Sequence, residues 1–399
     1  MVDVATLLTV LVAAFASLFM AWAIGAGSSG STPFAPAVGA NAISVMRAGF
    51  FVGLLGFLGA VLQGQNVSET MGRDLIGGVT LTGEGAAIAL IAAGGLVAIG
   101  VFTGYPIATA FTATGAVIGV GLALGGDPAW AQYQQIAALW ILTPFVGGAI
   151  AYGTARVLRY EGIADRTSVP LCAGVIGALV ANLEFALLGP DDGAGTIAGS
   201  ISASLDVGPV AGVDAVSILT TLAIAAACTA ALYREMGHDV ERGERRFLLV
   251  LGGLVAFSAG GSQVGLAIGP LLPLLDPYEI SVTAVLVGGG LGLLAGSWTG
   301  APRMIKAIAQ DYSSLGPRRS IAALIPSFMI AQTAVLFGIP VSFNEIIVSA
   351  VVGAGAAAST GGAGVSKSKM GYTVLAWAGS LALSLALGYG VMTLVSLVL

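Results

Sequence analysis

Apolar residues fall in twelve long runs, approximately at 4–24, 47–64, 86–102, 106–124, 136–158, 168–188, 212–233, 247–273, 279–298, 320–338, 341–358 and 372–398. Charged residues are nearly confined to the stretches between them. A run of roughly 20 apolar residues is the length an α-helix needs to cross a bilayer. The runs are too long for the strands of a membrane barrel and lack their alternation. The pattern predicts an all-α polytopic membrane protein with about twelve transmembrane segments. The first run has no positive leader, since Asp3 is the only early charge, and is read as a mature helix rather than a signal peptide.

Several runs are interrupted. Val4–Ile24 leads straight into Gly25-Ala-Gly-Ser-Ser-Gly-Ser-Thr-Pro-Phe-Ala-Pro-Ala-Val-Gly-Ala-Asn-Ala-Ile-Ser44, where glycines, prolines and hydroxyls break the apolar pattern. A similar stretch, Phe257-Ser-Ala-Gly-Gly-Ser-Gln-Val-Gly-Leu-Ala-Ile-Gly-Pro-Leu271, lies in the second half. A second pair follows. Gly104-Tyr-Pro-Ile-Ala-Thr109 parallels Gly338-Ile-Pro-Val-Ser-Phe343, each with a proline and then polar side chains. Pro106 and Pro340 disfavour helix in the residue before them and suit the first turn of a helix after them. Broken apolar segments at matching places in two halves point to the binding site of a secondary transporter.

Cations orient the segments. Loops 156–166, 234–246, 300–319 and 359–371 hold every Lys and Arg except Arg47 and Arg73. The positive-inside rule puts these loops in the cytoplasm. Connections 125–135 and 189–211 carry Asp127, Asp191, Asp192 and Asp206 but no cation, and are expected outside. Loop 64–85 is poor in cations where its counterpart 300–319 is rich, and 125–135 has none where 359–371 has Lys367 and Lys369. Matching loops on opposite sides are the expectation for inverted-topology repeats. The predicted division is a first repeat over 1–160, a middle transmembrane hairpin with a basic cytoplasmic loop over 161–245, and a second repeat over 246–399. About five segments fall in each repeat, and both termini are extracytoplasmic.

Composition agrees and removes other classes. The chain is 57% hydrophobic and 9% charged, with mean hydropathy +0.96, against about 25% charged residues in soluble domains. Cys172 and Cys228 lie in separate runs without metal-ligand spacing, and His238 sits in a charged loop. Gly25 to Gly30 spells GxGxxG, but a membrane helix precedes it where a dinucleotide site needs a strand. There is no Walker A motif and no nucleophile–base or metal-ligand constellation. The expectation is a non-enzyme without cofactor or metal and without a nucleic-acid partner.

The chemistry lies at the interruptions. A helix that begins inside the membrane directs unsatisfied N–H groups and the positive end of its dipole at what lies before it. Four such starts, converging, would make an anion cradle with no Lys or Arg. Candidate substrate ligands are the hydroxyls of Ser28, Ser29, Thr32, Thr109, Thr112, Ser262 and Ser342 and the amides of Gln263 and Asn344. Each hydroxyl has a structural alternative, a bond to its own backbone. Glu345 follows Pro340 in an otherwise apolar run. An intramembrane acid is a functional residue by default, and Glu345 is the candidate to bind a coupling Na⁺ or carry a proton. Glu184, in the middle hairpin, is a second membrane acid and is read as structural or interfacial.

These elements resemble the inorganic phosphate transporter (PiT) family. Its signature runs roughly GANDVANAFGTSVGS in the first half and GANDVANAIGPL in the second. Phe34, Val38 and Gly39 keep the first frame, and Ala267-Ile-Gly-Pro-Leu271 keeps the second. The family's LPVSTTH segments are matched by Pro106-Ile-Ala-Thr-Ala-Phe111 and Pro340-Val-Ser-Phe-Asn-Glu345. The segment from Ala301 to Ala323 is similar to the family's second long loop. The family's Asn-Asp pairs become Ser28-Ser29 and Ser262-Gln263, and its Ser-Thr-Thr-His becomes Ala108-Thr-Ala-Phe111 and Ser342-Phe-Asn-Glu345. In the family the aspartates are implicated in coupling-cation binding. Their absence leaves the first frame as an anion cradle and moves the expected cation role to Glu345.

The resemblance implies alternating-access transport of inorganic phosphate in the cell membrane, driven by a Na⁺ or H⁺ gradient. Two alternatives stay open: the same fold carrying sulfate or another oxyanion, and a transport-dead anion sensor. The expected partners are phosphate or a similar oxyanion and the lipid bilayer, with homodimerisation left open.

Overall fold

The computed structural model describes residues 4–185, 188, 195–205, 214–312, 315–357 and 367–398. Asp191, Asp192, Asp206 and residues 359–366 of a predicted cytoplasmic loop lie outside the described residues. The chain begins with α1 (Val4–Gly27), the short α2 (Ala35–Gly39), α3 (Val45–Gln63), the short α4 (Gln65–Glu69), α5 (Gly83–Thr103), α6 (Thr109–Ala123) and α7 (Trp130–Val157). A middle group follows: α8 (Asp165–Ala181), α9 (Ile197–Leu205) and α10 (Ala215–His238). The remainder is α11 (Val240–Ile268), α12 (Leu272–Leu275), α13 (Val282–Thr299), α14 (Ala301–Asp311), α15 (Pro317–Leu336), α16 (Phe343–Ala356) and α17 (Lys367–Val398). Each predicted apolar run overlaps one of these helices. Among the described residues nine helices are long and apolar enough to cross a membrane, and α6 and α16 are shorter apolar helices. The protein is an all-α polytopic membrane protein. Its strands amount to two short ribbons among the described residues, β1 (Ile76–Gly77) on β2 (Asp127–Pro128) and β3 (Glu184–Phe185) on β4 (Gly195–Thr196).

The two short apolar helices follow from one local device used twice. α5 ends on Gly104 in the left-handed region (φ 75°), and the chain beyond α15 passes through Gly338 at φ 63°. A left-handed glycine stops a helix cheaply because it has no Cβ. Pro106 and Pro340 then keep the chain extended before α6 and α16 begin. The residues ahead of those starts, Ala108 and Ser342, are in extended conformation and make no side-chain cap.

One expectation is corrected. Residues 257–268 do not break: α11 runs unbroken to Ile268, and the chain departs from helix only at Gly269–Leu271. The glycines there serve packing against α3. A Cβ on Gly260 would stand 1.8 Å from the carbonyl oxygen of Gly56, and one on Gly59 would stand 1.8 Å from that of Phe257. Small residues let two helices approach backbone to backbone in lipid, where the hydrophobic effect does not drive association.

The helices interlock between the halves. α3 packs on α11, α13 on α1, α6 on α17 and α16 on α7. At one end of the bundle Arg73 makes two bonds to Asp276 (2.9 and 2.8 Å) and one to Glu69, beside the β1–β2 ribbon. Glu184 stands at this end, where Gln63 bonds its carbonyl at 2.9 Å. It is exposed beyond the end of α8, so the reading of it as an acid within a membrane run is corrected. The other end gathers cations: Arg318 bonds Asp165 and the Leu158 carbonyl, Arg159 bonds the Ala357 carbonyl, and Arg245 bonds the Ala42 carbonyl. Between the ends the outer surface is apolar, with Phe15, Ile99, Phe145, Leu219 and Leu375 exposed. An apolar surface of this kind requires lipid.

Candidate functional site

The starts of α6 and α16 lie in the protein core, and their extended approaches set a problem of satisfaction. A buried carbonyl outside a helix needs a donor. Four side chains supply them in pairs. Trp377 Nε1 donates to the Pro106 carbonyl at 2.9 Å, and Trp140 Nε1 donates to the Pro340 carbonyl at 2.8 Å. Asn344 Nδ2 donates to the Ile107 carbonyl at 2.7 Å, and Gln263 Nε2 donates to the Val341 carbonyl. The same two carbonyl positions are thus held, in the same way, ahead of both helices.

Gln263 joins these starts to the end of α1. Its Oε1 accepts from Thr109 Oγ1 at 2.7 Å and from Ser28 Oγ at 3.3 Å, and the two hydroxyl oxygens are 3.3 Å apart. Asn344 closes the ring by donating to the Gly27 carbonyl at 2.9 Å. Ser28, Thr109, Gln263 and Asn344 are fully buried. Sequence positions far apart (28, 109, 263 and 344) therefore form one polar knot, and no bond from a Lys or Arg side chain enters it among the described residues.

The other candidates divide. Ser29 is buried next to Ser28. Thr32 bonds the Ser28 carbonyl at 3.1 Å and Thr112 bonds the Ala108 carbonyl at 2.8 Å, so both hydroxyls are engaged with nearby backbone. Ser262 and Ser342 are fully buried with hydroxyls that have no partner among the described residues. Glu345 is 3% exposed and its Oε2 has no partner among the described residues. The expected convergence of four helix starts is corrected to two. α1 reaches the knot with its C-terminal end, and α11 passes it in mid-helix.

The positive potential of the knot comes from α6 and α16. The first intrahelical bonds near their starts are Thr112 N–H to the Ala108 carbonyl (3.0 Å) and Ile346 N–H to the Ser342 carbonyl (3.0 Å). N–H groups ahead of these are left without an intrahelical acceptor, which suits an anion. The hydroxyls add adaptable donors. Thr109 and Ser28 can turn their hydrogens from Gln263 to an incoming oxyanion without moving a heavy atom.

Trp140 and Trp377 escaped the sequence reading. The available signal was one buried tryptophan in the last apolar run of each half, but nothing local says that an indole N–H reaches a carbonyl in the opposite half. Phe111 stacks on Trp140 with ring centroids 3.9 Å apart and helps hold it.

Fold and knot together define an all-α membrane protein with a buried polar site at two helix starts. Residues 24–388 match the family model described as "Phosphate transporter family", and the chain belongs to that family. A Thermococcus kodakarensis relative, provisionally named a phosphate permease, is 25% identical over 354 residues, covering 85% of this chain and 86% of its own. Inorganic phosphate transporter 2-1 of Arabidopsis thaliana, a chloroplast protein, is 24% identical over 378 residues, covering 84% of this chain and 64% of its own. A solved structure named "The sodium-dependent phosphate transporter" has the same fold, with a TM-score of 0.80 at 22% identity, over 98% of this chain and 100% of that one.

Proposed function

We propose that the protein is a secondary active transporter that moves inorganic phosphate by alternating access, coupled to a Na⁺ or H⁺ gradient. The observation that carries the reading is the meeting of the α6 and α16 starts with Ser28, Thr109 and Gln263 in the buried core. Phosphate sits there against free N–H groups and hydroxyls, with Ser29, Ser262, Ser342 and Asn344 within the same lining, while the hydroxyls of Thr32 and Thr112 stay on their own backbone. A cradle without fixed cations binds an oxyanion and also releases it. Glu345 is the coupling residue.

Element order supports two inverted repeats over 1–160 and 246–399 around the 161–245 hairpin. α1 to α7 are matched in kind, in sequence, by α11 to α17, long for long and short for short. Rocking of one repeat against the other then exposes the cradle alternately. The cation-rich end is cytoplasmic, both termini face outward, and the protein resides in the cell membrane.

Proteoliposomes given labelled phosphate or sulfate, with imposed Na⁺ or H⁺ gradients, test this. Concentrative phosphate uptake that collapses when the gradient is dissipated is expected. Phosphate binding with no uptake under any gradient would identify an anion sensor instead, and preferential sulfate uptake would change the substrate.

A further inference from the structure

Four side-chain oxygens between α7 and α16 have no hydrogen-bond partner among the described residues: Thr143 Oγ1, Ser342 Oγ, Glu345 Oε2 and Ser349 Oγ. Each of these residues is exposed by 3% or less. Many buried hydroxyls in the bundle return to a carbonyl of their own helix, as Ser258 does to Leu254 and Ser327 to Ala323; Ser168 and Ser262, elsewhere, are without a partner among the described residues. Thr143 and Ser349 make no such return.

Helical spacing puts Ser342, Glu345 and Ser349 on one face of α16. That face meets α7. A Cβ on Gly353, one turn past Ser349, would stand 2.1 Å from the Gly148 carbonyl oxygen, and one on Gly148 would stand 3.5 Å from the Ser349 carbonyl oxygen. The Trp140–Pro340 bond fixes the other end of the same register. The two helices therefore run parallel, and Thr143 comes level with Glu345. Pro144, inside α7, has no N–H to offer the Trp140 carbonyl, which frees a further acceptor nearby. Asn344 faces the opposite way, toward Gly27 and Ile107. The first turn of α16 thus presents one face to the polar knot and another to these oxygens.

A buried carboxylate without a countercharge is strongly unfavourable. One carboxylate and the hydroxyls of Thr143 and Ser349 are hard oxygen ligands whose total charge matches one monovalent cation. Ser342, about 10 Å along the helix from Ser349, is too far away to share one ion with it. A proton would serve one of the other three oxygens, whereas a cation serves them together. We propose that Glu345, Ser349 and Thr143 form a Na⁺ site between α7 and α16, separate from the cradle. The site deepens the reading of Glu345 as the coupling residue and rests on it.

Purified full-length protein in detergent, free of phosphate, is titrated with NaCl against choline chloride at constant ionic strength while Tm is followed. Na⁺ is expected to raise Tm saturably. Thr143→Val and Ser349→Ala should each raise the half-saturating Na⁺ concentration tenfold or more, and Glu345→Gln should abolish the response. Thr333→Val, on the exposed face of α15, should leave it unchanged. A wild-type Tm indifferent to Na⁺ overturns the site, even if Glu345→Gln fails to fold. So does a response that survives in Thr143→Val and Ser349→Ala, or one to pH alone. Phosphate uptake by the same preparation separates the two readings. Uptake without a Na⁺ response overturns this site and leaves transport standing, whereas a Na⁺ response lost in the variants, without uptake, supports the site and overturns transport.

Discussion

Trp140 on α7 donates its indole N–H to the carbonyl of Pro340, 2.8 Å away in the segment that leads into α16. Trp377 on α17 makes the corresponding bond to Pro106 ahead of α6. Each tryptophan joins the last helix of one half to the helix interruption of the other. The two interruptions are thus held from across the molecule, which keeps the α6 and α16 starts facing the knot.

Trp140→Phe removes the N–H and can keep the stack on Phe111. Leaving a buried carbonyl without a donor costs about 1–3 kcal/mol. A lower Tm and weaker phosphate uptake are expected, and Trp377→Phe should behave alike. If both variants melt and transport as the wild type does, the indoles are not holding the helix starts.

Thr109 and Thr112 lie one turn apart on α6 and make opposite bonds. Thr109 reaches Gln263, while Thr112 returns to Ala108. Thr109→Val should raise the KM for phosphate tenfold or more, because it deletes a hydroxyl at the cradle. Thr112→Val should change KM less than twofold. Kinetics of uptake check the pair, and equal effects would mean that the cradle is drawn in the wrong place.

Gly260 allows α11 to touch α3 at Gly56. Gly260→Val would force the two backbones apart, and overpacking of this kind costs about 1–3 kcal/mol or more. Tm in detergent should fall clearly. Gly288→Ala, where a Cβ would meet nothing within 4 Å, should leave Tm nearly unchanged.

Much of this molecule can be read along the chain. The apolar runs predict the helices because lipid demands long, uncharged stretches, and Pro106 and Pro340 mark the two buried helix starts because proline acts locally. Ser28 and Gln263 could be singled out from their place in interrupted segments. The bond between them could not, because it depends on how α1 and α11 pass each other. The same limit explains the errors. Gly260, Gly261 and Gly265 look like helix breakers in sequence, yet the missing side chains of the first two admit α3 and that of Gly265 admits α4. Glu184 looks like a membrane acid only because α8 stops at Ala181, before the apolar run does. Thr143 and Ser349 resemble many other membrane hydroxyls until packing shows that they lack partners among the described residues.

The central claim is that phosphate binds where the starts of α6 and α16 meet Ser28, Thr109 and Gln263. Arsenate is a tetrahedral oxyanion of the same charge and gives an anomalous X-ray signal. Crystals of the protein grown with arsenate and then exchanged into phosphate test the claim most directly. The account predicts one anomalous peak within hydrogen-bonding distance of Thr109 Oγ1 and the first N–H groups of α6 or α16, lost on exchange. A peak bound elsewhere in the bundle, with the knot of Ser28, Thr109 and Gln263 unchanged, would contradict it.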